Sequence, residues 1–109
     1  MTLEEIIIDC LAKVKAKDVL VYDTKERSPF YDQMILCSVD SERQATAAIS
    51  YVRDEVAKNG HSIRNIEGQN TSWVLIDLHS VIVSIFTKEE REHFAIEKIY
   101  MDTPCKEVE

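Results

Sequence analysis

Glycine and proline are scarce, with two of each among 109 residues, so long flexible linkers are not expected. The two glycines, Gly60 and Gly68, are too few and too isolated for a phosphate-cradling loop, and both the P-loop and dinucleotide fingerprints are absent. Cysteine occurs three times, at Cys10, Cys37 and Cys105, an odd number without paired spacing. Cys10 and Cys37 sit among apolar residues and read as buried free thiols, which suits a reducing compartment. No Cys-x-x-Cys or His-Glu-x-x-His spacing exists, which argues against a structural or hydrolytic zinc site. Basic residues are outnumbered 13 to 20, leaving a net charge of −7. Such a balance argues against nonspecific phosphate binding, which needs a basic surface. It suits a basic protein partner, although solubility alone accounts for it equally well.

Apolar runs are also short. None approaches the roughly 20 residues needed to span a bilayer. The opening Met1-Thr2-Leu3-Glu4-Glu5 has neither the basic start of a signal peptide nor an arginine-rich transit pattern, so a cytoplasmic protein is expected. What is present is an ordinary globular balance, 45% hydrophobic and 30% charged. Residues 1–109 are expected to form one domain that buries about two thirds of its unfolded surface.

Thr2 with Glu5 makes a capping box, and Leu3, Ile6, Ile7, Cys10, Leu11 and Val14 recur at helical spacing behind it. Val19 to Asp23 and Gln33 to Ser38 read as strands on either side of a loop containing Pro29. Asp40 or Ser41 can cap the next helix, Ser41 with Gln44 repeating the capping spacing, and that helix is faced by Ala45, Ala48, Ile49, Val52 and Val56 and ended by Asn59-Gly60. Ser62 to Glu67 reads as a weak strand. Trp73 to Asp77 and Val81 to Phe86 form a hairpin around His79-Ser80, and Thr87 with Glu90 caps a short helix to about Phe94, followed by a tail. This order predicts a single α/β domain, a mixed five-stranded sheet with helices packed on it.

The chemistry-bearing residues form no catalytic grouping. Glu90 and His93 share a helix face at the spacing used in di-iron bundles, but that chemistry needs two such motifs on four long helices. His61, His79 and His93 stand in polar surroundings and read as surface residues. Cys37 as a nucleophile would need a nearby cation, whereas Met34, Ile35 and Leu36 precede it. No acid–base carboxylate pair is placed by the sequence, so neither an enzyme nor a cofactor or metal site is expected. The hairpin stands out instead. Alternation puts Trp73, Leu75 and Asp77 on one face and Val74 and Ile76 on the other. Trp73 is then either core or the aromatic anchor of a binding patch, and alternation alone leaves both open.

Asp32 with Cys37-Ser38, Ser41-x-Arg43-Gln44, Glu67-Gly68 and Trp73-Val74-Leu75-Ile76-Asp77 follow one another in a distinctive order. Val81 to Phe86, Glu89-Glu90-Arg91-Glu92, Glu97-Lys98 and Asp102 continue it. Together they resemble the ribosomal silencing factor family, RsfS or Iojap-like proteins, over almost the whole chain and most weakly before Pro29. The chain departs from the family pattern at the hairpin turn, where His79-Ser80 stands for Gly-Asp. It also has Phe94 for tyrosine, Tyr100 for tryptophan and Ser38-Val39 for Ser-Gly. The resemblance implies a fold related to nucleotidyltransferases, without their Gly-Ser and paired-aspartate signature. It implies binding to ribosomal protein fourteen of the large ribosomal subunit, a block on subunit joining and repression of translation, with organellar members acting in ribosome assembly. On that basis Trp73 and Leu75 are expected to form the apolar centre of a partner-binding site, with Asp77, Glu90, Glu97 and Asp102 as its acidic rim. Neither sequence-specific nucleic-acid binding nor a membrane partner is expected, and a homodimer in the unbound state is. The competing readings are a large-subunit assembly factor and a divergent nucleotide-binding nucleotidyltransferase-like protein.

Overall fold

The computed structural model describes residues 2–94 and 103–108, with the side chains of His93 and Phe94 outside the description. Helix α1 (Leu3–Lys13) starts where the Thr2 hydroxyl accepts the Glu5 N–H at 3.2 Å and the Glu5 carboxylate accepts the Thr2 N–H at 2.8 Å. The capping box thus satisfies two otherwise orphaned donors. Helix α2 (Glu42–Lys58) is capped by Ser41. The Gln44 side chain accepts the Asp40 N–H and donates to the Val14 carbonyl at 3.1 Å, joining the start of α2 to the end of α1.

Between and after the helices run β1 (Lys17–Asp23), β2 (Gln33–Val39), β3 (Asn65–Glu67), β4 (Trp73–Asp77) and β5 (Val81–Thr87). Helix α3 (Lys88–Phe94) and strand β6 (Cys105–Val108) follow among the described residues. One six-stranded sheet results, in the order β3-β4-β5-β2-β1-β6. Among the described residues only the β2–β5 pair is parallel, and both strands read as nearly continuous apolar runs, as expected for the buried centre of a sheet. The main core lies between one face of the sheet and the pair α1 and α2. Ile7, Leu11, Ala45, Ala48 and Val52 meet Ile35, Cys37, Val74, Ile76, Val83 and Ile85 there.

The expectation of five strands is corrected to six. The extra strand is the chain's last segment, which reads as a tail because Cys-Lys-Glu-Val lacks an apolar alternation. Its place is set by the ladder from Val19↔Val108 to Tyr22↔Cys105 and by the ion pair of Lys106 with Glu4 of α1. Strand β3 is also shorter than the expected span from Ser62, beginning at Asn65. In β1 the register slips between Lys17 and Leu20, and Asp18 takes a positive φ of 52°. Arg91 of α3, almost fully buried, donates to the Asp18 carbonyl at 2.6 Å and to the Ser38 hydroxyl at 2.9 Å. The bulge therefore re-aims a backbone acceptor to receive α3.

Candidate functional site

Strand register defines the second face of the sheet. Trp73 pairs with Phe86, Leu75 with Ser84 and Asp77 with Ile82, while Ile82, Ser84 and Phe86 pair with Met34, Leu36 and Ser38. Paired residues share a face, so the pattern expected for β4 holds: Val74 and Ile76 are fully buried toward the helices. Trp73 and Leu75 are half-buried on the opposite side. There a separate apolar cluster of Tyr22, Met34, Leu36, Ile82 and Phe86 forms, with Leu20, Tyr31, Trp73 and Leu75 packed against it. The indole stacks on the buried Phe86 ring with centroids 4.9 Å apart and planes 20° apart. Trp73 is thus neither wholly core nor wholly exposed: one side of it rests on a rigid aromatic floor.

The loop before β4 fixes that position. Gly68 has a φ of +75°, and a Cβ there would stand 2.0 Å from the Trp73 carbonyl oxygen. Only glycine allows such an approach without backbone displacement. The Thr71 hydroxyl lies 2.6 Å from the Gly68 carbonyl and 3.0 Å from that of Trp73, and the Thr87 N–H donates to the Ser72 carbonyl at 2.9 Å. The Thr71 side chain thus adds to the sheet ladder in holding the tryptophan's backbone.

The carboxylates behave differently from a uniformly open rim. Asp77 receives the Arg64 guanidinium on Oδ2 at 3.0 and 2.8 Å and the His79 N–H on Oδ1 at 2.9 Å. Burial alone would raise its pKa; the His79 N–H and the Arg64 charge outweigh that and hold it below the ordinary carboxylate value. The same contact supports the hairpin turn, where His79 sits at φ 72° in place of the glycine that such a position favours. Glu90 on α3 accepts a hydrogen bond from the hydroxyl of Ser72, the residue before Trp73. Trp73, Leu75, Asp77 and Glu90 are therefore brought to one region, whereas Glu97 and Asp102 lie outside the described residues. Sequence reasoning missed Arg64, Thr71 and Ser72, whose roles depend on contacts across loops and strands. The quoted Glu67-Gly68 pair was the available hint.

Of the residues weighed for chemistry, Cys37 is enclosed and its thiol is pushed up to about 12 by burial, only partly opposed by Arg91. That is a core thiol. Among the described residues no cluster of three or more His, Cys, Asp or Glu is placed to hold a metal ion, and no helix is long and apolar enough to cross a membrane.

These features define a class: a single α/β sheet domain with helices over one face and an aromatic-centred, carboxylate-flanked patch on the other. The family described as "Ribosomal silencing factor during starvation" (RsfS) matches residues 2–109, and the chain belongs to it. It is similar to the ribosomal silencing factors RsfS of Haemophilus influenzae, at 33% identity over 92% of this chain and 99% of the relative, and of Bacillus subtilis, at 31% over 87% and 81%. Its structure is similar to a crystal structure from Bacillus halodurans, with a TM-score of 0.84, 30% identity and 97% of each chain covered. A protein from Chromobacterium violaceum gives 0.85 and 28%, covering 90% of this chain and 82% of that one. Membership makes the chain a ribosome-associated regulatory factor of translation.

Proposed function

We propose that this protein binds the large ribosomal subunit through ribosomal protein fourteen and blocks subunit joining by occupying the docking face, repressing translation without chemical turnover. The observation that carries the reading is the Trp73 indole stacked on Phe86, with Leu75 beside it and carboxylates at both ends of the strand. Half-buried aromatics on a rigid floor resemble the anchors that dominate protein interfaces, and surrounding charges act as their rim. Trp73 and Leu75 form the centre, and Asp77, Glu90, Glu97 and Asp102 supply the rim. A net charge of −7 favours encounter with a basic ribosomal protein. The site of action is the cytoplasm.

We take the sheet to be related to the nucleotidyltransferase fold with its catalytic groups absent. A nucleotide-binding role draws no support from a cleft of about 720 Å³ beside the β1 bulge. Its three cations, Lys17, Lys88 and Arg91, are balanced by Asp18, Glu92 and Glu107, so its lining offers a polyphosphate no net attraction. The decisive experiment is sedimentation with purified subunits, followed by a joining assay. Binding to the large subunit alone, with fewer joined ribosomes formed, is expected. Equal binding to both subunits, or to neither, overturns the reading; binding without any effect on joining favours an assembly factor.

A further inference from the structure

Strand β3 adds a residue to the patch that its acidic rim does not include. Glu67 pairs in register with Leu75, and Asn65 with Asp77, so the side chains of both β3 residues share the outer face with Trp73. Ile66, between them, packs against the helical core and fixes the strand's facing, because a one-residue slip would expose it. Glu67 is exposed, and the Asn65 amide donates to its Oε1 at 3.3 Å. Among the described residues no cation pairs with it. Asp77, one pleat further along, has both oxygens engaged and its charge met by Arg64.

We infer that Glu67 is the carboxylate of this patch that pairs with a lysine or arginine of the basic partner, and that the charge of Asp77 is spent largely within the chain. The inference rests on the proposed docking role of the Trp73 face. Its physical basis is availability. A carboxylate already bridged by a guanidinium offers a second cation less net charge and fewer free lone pairs, whereas Glu67 exchanges only one amide contact and water. Its position is also fixed relative to the anchor. Gly68 follows it directly and lies against the Trp73 carbonyl, so the carboxylate and the indole leave the same closed loop in a set relation. A cation held by Glu67 would lie beside Leu75, where neighbouring apolar surface excludes water and strengthens the pair.

The test compares Glu67→Gln with Asp54→Asn, an exposed acid on α2 in the helical layer, in equilibrium binding to purified large subunits at low and moderate salt. Both variants change the net charge equally, and both sites are exposed, so neither should lose its fold. Glu67→Gln is expected to weaken binding about fivefold at low salt, a gap that narrows as salt rises, with Asp54→Asn close to the parent. Trp73→Ala is measured alongside. If the parent does not bind large subunits, or Trp73→Ala binds normally, the docking reading fails and this inference falls with it. If Trp73→Ala loses binding and Glu67→Gln does not, only the role of Glu67 is overturned. Equal losses in Glu67→Gln and Asp54→Asn also overturn it, because long-range attraction would then suffice.

Discussion

Replacing Gly68 by alanine perturbs the anchor without touching the indole itself. Two costs add. A residue with a Cβ at φ +75° loses about 1–2 kcal/mol to left-handed backbone strain. The added methyl would also stand 2.0 Å from the Trp73 carbonyl oxygen and 3.1 Å from its carbonyl carbon, both backbone atoms of a strand. No rotamer change relieves that, so the loop or the start of β4 must shift, at the roughly 1–3 kcal/mol typical of overpacking. The total of about 2–5 kcal/mol lowers Tm by about 10 °C or more in a domain of this size. Gly60 provides the matched control: its φ is +82°, but nothing lies within 4 Å of a Cβ there. Gly60→Ala should cost only the strain. Because Trp73 is the chain's one tryptophan, its emission reports the anchor directly. Gly68→Ala should change the emission of the native state, and Gly60→Ala should leave it alone. Equal melting temperatures for the two variants, with unchanged emission in both, would refute the account of how the anchor is held.

Trp73→Ala should reduce affinity for the large subunit by at least about thirtyfold, the effect of losing roughly 2 kcal/mol at an interface anchor, while a circular dichroism melt still shows a cooperative fold. A loss of cooperativity would assign the residue to the core. With an alkylating reagent at pH 8, Cys105 should label quickly and the enclosed Cys10 and Cys37 only on unfolding, which mass spectrometry of the native protein checks. In acid, the Lys106 ammonium, with help from Gln33, holds the Glu4 carboxyl below its ordinary value of 4.5, and Asp77 is likewise lowered. A lowered folded-state pKa contributes stability above the unfolded value and loses it as pH falls through the folded one. Urea midpoints should therefore drop below about pH 4.5, and Glu4→Gln should make that drop shallower. An unchanged slope would mean that the Glu4–Lys106 pair contributes nothing to folding.

Much of the frame was legible because its determinants are local. The Thr2–Glu5 and Ser41–Gln44 spacings announce helix starts, and the alternation of Val74 and Ile76 against Trp73 and Leu75 assigns β4 to its two faces. Strand β6 was hidden for the opposite reason. Three of its four residues are exposed, so nothing in its pattern marks a buried face, and only pairing with β1 makes it a strand. The same holds for the patch. That Trp73 belonged to one of two environments could be read; that it occupies both at once depends on Phe86, 13 positions away and registered by the hairpin. The pairing of Asp77 with Arg64 was equally invisible, because loop 68–72 and two strands set it.

That pairing changes what the net charge means. The total of −7 already counts the paired cations and says nothing of where the unmatched acids lie: Asp77 is met by Arg64, Glu4 by Lys106, Glu55 by Lys13 and Lys58. Charges matched this way contribute little to a distant partner, since the opposite charges of each pair largely cancel beyond a few times their separation. Attraction then depends on the acids left unmatched, and their position matters more than their number. Acting by occupancy, as proposed, would leave no catalytic step to amplify weak binding, so the effect would rise and fall with residence on the subunit. Affinity under those conditions comes from surfaces ordered before contact, which avoids the entropic cost of ordering them on binding. The Phe86 floor, the Gly68 approach and the Thr71 bonds meet that requirement at Trp73. Rigidity at the aromatic centre and an available carboxylate at its edge are therefore complementary: the first sets how long the complex lasts, and the second how readily it forms.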